Sequence, residues 1–282
     1  MQRIAIVGIG CLFPGADSLL GHHSSGHLDE FWKNIQTARD CSREVPAGRW
    51  LLSKKDAWAN DLAPDKVTSI RGCFLESFQL DPEGLDIDKN VLEKLDPLFH
   101  VLLHAGRQAW QDTHSGNLDK QRVGVVVGNI ALPTDASSAL ADEFLGSAFE
   151  SQLLGKQIET SNKTESLNRY VAGLPAGILA KAMGFGGSSY TLDAACASSL
   201  YALKYAVDEL IAYRTDAMLT GGVSRPDCLY TQMGFSALGA ISKIGHCSPF
   251  DGKGDGLVVG EGAGVLVQPA ACAGRRSAGR SC

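Results

Sequence analysis

The chain has 282 residues, 44% of them hydrophobic, which is enough to bury a substantial core in one large domain or two small ones. Its net charge of −5, from 26 basic and 31 acidic side chains, is unlike the basic balance of a nucleic-acid-binding protein. No apolar run approaches the roughly 18 residues of a membrane span, and the N-terminus has no signal-peptide pattern. These features predict a soluble, cytoplasmic protein.

Cysteine and histidine patterns argue against disulfides and metal. The eight cysteines are spread over the whole length and form no Cys-x-x-Cys pair, so we expect reduced thiols. His22, His23 and His27 cluster in a Ser/Gly-rich stretch without cysteines or carboxylates at ligand spacing. Zinc needs a fuller set of ligands, so we interpret this stretch as a solvated loop.

In chain order, the first half of the sequence predicts a strand, two helices and a second strand. Residues 3–8 form an apolar strand, and Leu28, Phe31, Trp32 and Ile35 have helical spacing. Residues 43–84 contain three prolines and predict irregular structure. Pro97 is expected to open a long helix, and residues 123–127 form an apolar strand that is buried on both faces.

The second half continues this alternation. A helix is predicted over 167–179, kinked by Pro175, and a short strand over 188–192. Residues 197–213 predict an amphipathic helix, and residues 217–220 and 264–268 two core strands. The apolar stripe expected on the 197–213 helix consists of Leu200, Leu203, Val207, Leu210 and Ile211. Alternating strands and helices indicate an α/β fold.

Two glycine motifs invite a phosphate-binding interpretation that we reject. After Gly8 and Gly10, the third glycine of a dinucleotide fingerprint would fall at Phe13. Gly252-Lys253 lacks the following hydroxyl residue of a phosphate loop. Both motifs are interpreted as turns. Nearby, Asp251 and Glu261 are expected to bind turn amides rather than transfer protons.

Cys196 is the strongest candidate for chemistry. It lies between the predicted strand 188–192 and the predicted helix 197–213, so it is placed at a helix N-terminus. There, unpaired N–H groups and the positive end of the helix dipole favour a thiolate and offer a donor to an oxyanion. The alternative is a small apolar residue that fills a tight turn, since free cysteine is often buried. Geometry alone leaves both interpretations open.

The residues around Cys196 resemble a known active-site segment. Residues 193–200 read Asp-Ala-Ala-Cys-Ala-Ser-Ser-Leu, which is similar to the nucleophile segment of β-ketoacyl synthases. Further segments match that family in the same order. They are residues 4–15, 31–32, 46–50, 95–100, 249–256 and 260–264. The resemblance covers residues 2–268. The Ala-Ala-Cys-Ala segment is most similar to that of synthases that make long-chain or polyunsaturated lipids.

This resemblance implies an architecture. The family has a thiolase-like layered α/β fold with an α-β-α-β-α arrangement, and residues 1–268 would be its N-terminal domain, the first half. The C-terminal half is then missing from this chain. Residues 269–282 have an Ala/Gly/Arg/Ser bias without apolar periodicity and are expected to be a disordered or non-native tail. We therefore expect a truncated or frame-shifted ketosynthase.

The resemblance also implies an activity, decarboxylative condensation of an acyl thioester with a malonyl-carrier, and one catalytic residue, the nucleophile Cys196. It implies neither a metal nor a dissociable cofactor, because the phosphopantetheine belongs to a partner acyl carrier protein. Other expected partners are a second copy, paired through residues 188–192, and further domains of a multienzyme synthase. The family's two histidines lie in its second half, and His100, His104, His114 and His246 match neither.

Two alternatives to a condensing enzyme stay open. The first is a catalytically incomplete half-domain that only binds or accepts acyl groups. The second is a cysteine hydrolase of the α/β-hydrolase type, which would need a Gly-x-nucleophile-x-Gly turn. Cys196 is flanked instead by Ala195 and Ala197, so the sequence disfavours the hydrolase.

Overall fold

A computed structural model describes residues 4–16, 25–75, 78–113, 118–156, 164–226 and 228–270. The described residues fall into two compact units. The first unit takes its residues from Met1–Cys11, Gln79–Val223 and Ala263–Cys282, and the second from Leu12–Phe78 and Ser224–Gly262. The predicted alternation of strands and helices is confirmed. The helices and strands are, in chain order, β1 Gly8–Leu12, α1 Ser25–Gln36, β2 Arg43–Glu44, α2 Lys54–Ala57, β3 Arg71–Gly72, α3 Lys89–Leu92, α4 Pro97–Asp112, β4 Val123–Gly128, α5 Asp135–Ala141, α6 Ser147–Leu154, α7 Pro175–Met183, β5 Ser189–Leu192, α8 Ser198–Ile211, β6 Ala217–Ser224, α9 Cys228–Ala237 and β7 Gly262–Pro269.

The first unit is built on a five-stranded sheet with the order β1-β7-β6-β4-β5. The central strand β4 pairs in parallel with β5 on one side and with β6 on the other. All six residues of β4 are buried, which confirms the prediction of a strand covered on both faces. The short strand β5 is at one edge of the sheet and β1 is at the other.

Helices cover both faces of this sheet. Alternate residues of a strand point to opposite faces, and β5 follows this rule. Tyr190 and Leu192 pack into the cluster under α8, whereas the Thr191 hydroxyl accepts a hydrogen bond of 3.0 Å from the Ala176 amide of α7. The helices α7 and α8 therefore lie on opposite faces of the edge strand β5.

Helix α4 begins as the sequence predicts. Pro97 occupies its first turn, where a missing N–H costs nothing, and Asp96 caps it by accepting a hydrogen bond of 2.8 Å from Leu98 N. The prediction for Pro175 is wrong. Instead of kinking one long helix, Pro175 opens α7, and the segment before it is a separate 3-10 helix, Ser166–Tyr170. Proline favours the first turn because its ring would clash inside a helix.

The N-terminal strand begins later than the sequence predicts. The observed strand β1 starts at Gly8, and just before it the Val7 amide donates a hydrogen bond to the Val267 carbonyl of β7. Gly8 and Gly10 therefore lie in a strand and not in a turn, which corrects that interpretation. At the other end of the chain, Pro269 ends β7 and Ala270 is buried. The described structure thus includes the first two residues of the expected tail, and residues 271–282 lie outside it.

The second unit is mostly irregular, as predicted for residues 43–84. It contains the two-stranded antiparallel pair β2–β3 and the helices α1, α2 and α9. Its core is a cluster of five buried hydrophobic residues, Val45, Trp50, Ala57, Val67 and Phe74. Among the described residues of either unit, none of the helices has both the length and the apolar character needed to cross a membrane.

Candidate active site

Cys196 lies in a tight turn between β5 and α8. The strand ends at Leu192, a single 3-10 turn spans Ala195–Ala197, and α8 begins at Ser198. The prediction that Cys196 lies directly before a helix N-terminus is therefore confirmed. Its side chain is exposed, which argues against the alternative of a small apolar residue buried in the turn.

Two side chains hold this turn in shape. Asp193 accepts hydrogen bonds from the amides of Ala195, at 2.8 Å, and Ala131, at 2.9 Å. Ser198 accepts one from the Ala194 amide, at 2.9 Å, and donates its own hydroxyl to the Ala195 carbonyl, at 2.7 Å. The two backbone N–H groups hold the pKa of the Asp193 carboxyl below its usual value, since they bind the charged form. Sequence analysis did not single out either residue.

The backbone of the turn is strained at the residue before the nucleophile. Ala195 has φ of 51°, in the left-handed region that costs a residue with a Cβ about 1–2 kcal/mol. The Ala195 amide donates to the Asp193 carboxylate, the Ala195 carbonyl accepts from the Ser198 hydroxyl, and these hydrogen bonds offset that cost. The turn therefore exists because side chains stabilise it, and no glycine is needed.

One amide of the turn is left available. The N–H groups of Ala194, Ala195 and Ala197 all have acceptors within the turn. In the part of the chain that the structure describes, the Cys196 N–H has no such acceptor. A donor therefore lies on the same residue as the sulfur, where it can bind the oxyanion that forms when a thiolate attacks a carbonyl.

Glycines bring the start of α8 onto the ends of two strands. A Cβ on Gly128, the last residue of β4, would lie 2.6 Å from the Ser199 nitrogen, and one on Gly222 in β6 would lie 3.0 Å from the Ser199 Cβ. Neither position has room for a side chain. The first turn of α8 consequently sits directly on the ends of β4 and β6.

The buried face of α8 differs from the face that the sequence predicted. Ala202, Ala206 and Leu210 pack against the sheet, while Leu200 is 69% exposed and Ile211 is 48% exposed. The predicted stripe is therefore wrong except at Leu210 and, in part, at the half-buried Leu203 and Val207. Two alanines and one leucine of α8 thus face the sheet. Leu200, Tyr201 and Tyr205 leave an apolar outer face on the helix.

Polar residues of the second unit are used structurally. The buried Glu261 carboxylate pairs with Arg49 and accepts a hydrogen bond of 3.0 Å from the Leu75 amide. Asp251 accepts one of 2.9 Å from the Lys253 amide. Both carboxylates bind loop amides, as the sequence predicted.

Three of the described histidines make structural contacts. His27 is buried in α1 with its Nδ1 at the Ala16 carbonyl, so the prediction of a solvated loop is wrong for it. His22, His23 and His114 lie outside the described residues. His100 bonds the Leu92 carbonyl and His246 bonds Asp40. Among the described side chains, no histidine bonds Cys196, and no three His, Cys, Asp or Glu residues group as a metal site.

Comparisons with known proteins agree with this geometry. The family model of the β-ketoacyl synthase N-terminal domain matches residues 1–270. A component of the phenolphthiocerol/phthiocerol polyketide synthase of Mycobacterium tuberculosis is 31% identical over 280 residues. The polyketide synthase PksL of Bacillus subtilis is 28% identical over 269 residues. Each match covers 94% of this chain, but only 16% and 5% of the respective relative.

Solved structures give the same result. The PfaC keto synthase–chain length factor superposes with a TM-score of 0.85 at 32% identity, covering 99% of this chain and 30% of that one. The oxazolomycin ketosynthase domain OzmH KS7 of Streptomyces albus gives a TM-score of 0.74 at 25% identity, with coverage of 99% and 44%. The chain thus spans less than half of these ketosynthase structures and shares their thiolase-like fold. It belongs to the β-ketoacyl synthase family and corresponds to that family's N-terminal domain.

Proposed function

We propose that Cys196 is the nucleophile of a β-ketoacyl synthase and accepts an acyl group from an acyl carrier protein. Its thiolate attacks the thioester carbonyl and forms a new carbon–sulfur bond, while the carbon–sulfur bond to the phosphopantetheine of the carrier breaks. The carrier leaves as a thiolate, which takes a proton from water. The observation that supports this most is the exposed sulfur at the start of α8, beside an available N–H of its own residue. No cofactor on this chain takes part in that step.

The second step of the family's reaction needs further hydrogen-bond donors. A malonyl-carrier loses carbon dioxide, and its carbanion equivalent attacks the acyl-enzyme, which releases a β-ketoacyl chain two carbons longer and the free thiolate. Negative charge on the malonyl thioester oxygen calls for preorganised donors. The resemblance assigns that role to two histidines in a His-Gly-Thr-Gly-Thr segment and a later Gly-His segment of the second half. We therefore propose acyl loading for this 282-residue chain and condensation only with the second half present.

An acyl-loading experiment tests the first step. The purified chain is incubated with acyl-carrier protein, and the acyl group is located by peptide mass spectrometry. We expect a thioester on Cys196 that hydroxylamine removes and that Cys196→Ala abolishes. Cys247→Ala is the matched control, because Cys247 is another exposed thiol outside the turn. Loading that survives in Cys196→Ala would contradict the proposal.

Adding malonyl-carrier tests the second step. Losing one preorganised oxyanion donor costs about 10²–10³ in rate, and two are involved here. We expect no β-ketoacyl product from the chain alone, and product once a separately expressed second half is added. Product from the chain alone that disappears in Cys196→Ala would contradict the half-domain proposal. Hydrolysis of the acyl-carrier without a lengthened product would instead favour the cysteine hydrolase.

A homodimer is part of the same proposal. Family members pair through the strand before the nucleophile, here β5, which is an edge strand of the sheet. An uncovered edge presents unpaired N–H and C=O groups to another chain. We expect a dimer by light scattering at micromolar concentration, and a clean monomer would contradict this expectation. An acyl carrier partner, further synthase domains and a cytoplasmic location stay predictions.

A further inference from the structure

We infer that Ser198 and Asp193 are positioning residues that hold the Cys196 turn in its reactive shape. This inference rests on the proposed function of Cys196 as nucleophile. Neither side chain is expected to touch the substrate. Each acts on the backbone beside the nucleophile, and together they determine where the sulfur and the amide of Cys196 point.

Ser198 closes the turn from the helix side. It is buried at 6% exposure, and its hydroxyl takes a hydrogen bond from the Ala194 amide while giving one to the Ala195 carbonyl. The Ser198 backbone N–H also donates to the Ala195 carbonyl. Two donors from one residue thus fix the carbonyl of the left-handed residue, while Gly128 packs against the Ser198 backbone from below. The hydroxyl therefore has little freedom to take other partners.

Asp193 closes the turn from the strand side. One carboxylate oxygen binds the Ala195 amide and the other binds the Ala131 amide, in the loop that follows β4. The same loop is tied to the end of β5 by a hydrogen bond of 3.0 Å from the Asn129 amide to the Leu192 carbonyl. Asp193 therefore fixes the turn against the sheet as well as bonding within it.

These contacts have a chemical consequence for the neighbouring residue. The left-handed conformation of Ala195 decides the direction of the peptide between Ala195 and Cys196, and hence of the Cys196 N–H. Without the Ser198 hydroxyl, Ala195 can relax to an ordinary conformation. The Cys196 N–H and sulfur would then no longer point together at an incoming thioester carbonyl. Encounter with the carrier does not depend on this and should be unaffected.

The test measures acyl loading as a function of acyl-carrier concentration in the full 282-residue chain. We expect Ser198→Ala to lower the maximal loading rate at least about tenfold, with the half-saturating concentration changed less than about twofold. Ser199→Ala is the matched control: the same substitution, one residue along, at an exposed side chain with no hydrogen bond in the described structure. Ser198→Thr, which keeps a hydroxyl, should recover most of the rate. Equal loading rates in Ser198→Ala and the parent chain would overturn the inference.

A second variant and a second measurement test the inference independently of the proposed function. Asp193→Asn keeps one acceptor and loses the other, so we expect an intermediate loss. In every variant, iodoacetamide labelling of Cys196 is divided by that of Cys247 in the same molecule, which corrects for any general unfolding. If the parent chain loads no acyl group, the proposed function fails, yet a fall of this ratio by about fivefold or more in Ser198→Ala still supports the positioning role. An unchanged ratio in both Ser198→Ala and Asp193→Asn overturns it.

Discussion

Glycines allow two close strand–helix contacts in the first unit. The cysteine near the first contact is buried, and the cysteine near the second is exposed. At β1, Gly8 and Gly10 face the flank of α4, and a Cβ on Gly10 would lie 2.5 Å from the Ala109 nitrogen and closer still to the Ala105 carbonyl. At β4 and β6, Gly128 and Gly222 face the first turn of α8. In both places the missing Cβ allows a close approach of the helix to the strand.

The cysteine at each contact has a different fate. Cys11 follows Gly10 in β1 and is 3% exposed, and its amide donates a hydrogen bond of 2.7 Å to Gln108 of α4. Burial raises the pKa of the Cys11 thiol to about 12, because the charged form loses its hydration. Cys196 lies just before the N-terminus of α8 and is exposed. Cys11 is thus buried within a strand, whereas Cys196 is exposed in the turn before a helix.

The largest expected effect is a difference in thiol reactivity. With a pKa of about 12, only about 10⁻⁵ of Cys11 is thiolate at pH 7, and the sulfur is also inaccessible. We expect iodoacetamide at neutral pH to label Cys196 first of the eight thiols, and Cys11 at least about 10³-fold more slowly. Time-resolved peptide mass spectrometry measures both rates. Labelling of Cys11 before Cys196 would reverse the comparison.

Filling the β1–α4 contact should cost stability. Gly10→Ala places a methyl group against the backbone of α4, which cannot move aside, so we expect a loss of about 3 kcal/mol in the free energy of unfolding. Gly234→Ala is the control, since Gly234 lies in α9 with nothing within 4 Å of an added Cβ. There alanine should stabilise by about 0.5–1 kcal/mol. Urea unfolding measures both changes, and a neutral Gly10→Ala would show that the contact is not tight.

The smallest effect is a pH dependence of stability. The Cys11 thiol has a pKa of about 12 in the folded chain against 9.0 for an unperturbed thiol, so the unfolded chain loses this proton first. Its contribution is therefore complete below pH 9 and falls as the pH rises from about 9 to 12. At pH 10 the loss relative to pH 8 is on the order of 1 kcal/mol. Urea unfolding of Cys11→Ala should show a shallower decline between about pH 8 and 10 than the parent chain or Cys247→Ala. Identical slopes would contradict burial of Cys11.

The sequence predicted those elements whose position is determined by neighbouring residues. The run of valines in β4 and the Asp96-Pro97 start of α4 are local signals, and both elements are where they were expected. The buried face of α8 was not predictable, because Ala202 and Ala206 pack with Val126 and Met218, which lie on strands distant in the sequence. Large apolar residues usually mark the core, and here they point outward.

The same distinction applies to the candidate site. Cys196 could be identified because a strand, a turn and a helix follow one another directly in the sequence. Its supports could be identified only in part. An Asp and a Ser before or at a helix start are recognised capping residues, which is a signal that could have pointed to Asp193 and Ser198. The bond from Ala131 to Asp193 joins residues 62 positions apart, and no local pattern predicts it.

The order of strands in the sheet has a consequence for how the chain is made. β1 ends at Leu12, and its neighbour in the sheet is β7, which begins at Gly262. A ribosome adds about 5–20 residues per second, so the first strand waits on the order of 12–50 s for its partner to be synthesised. The sheet is therefore completed only after residues 13–261, which separate these two strands, have been synthesised.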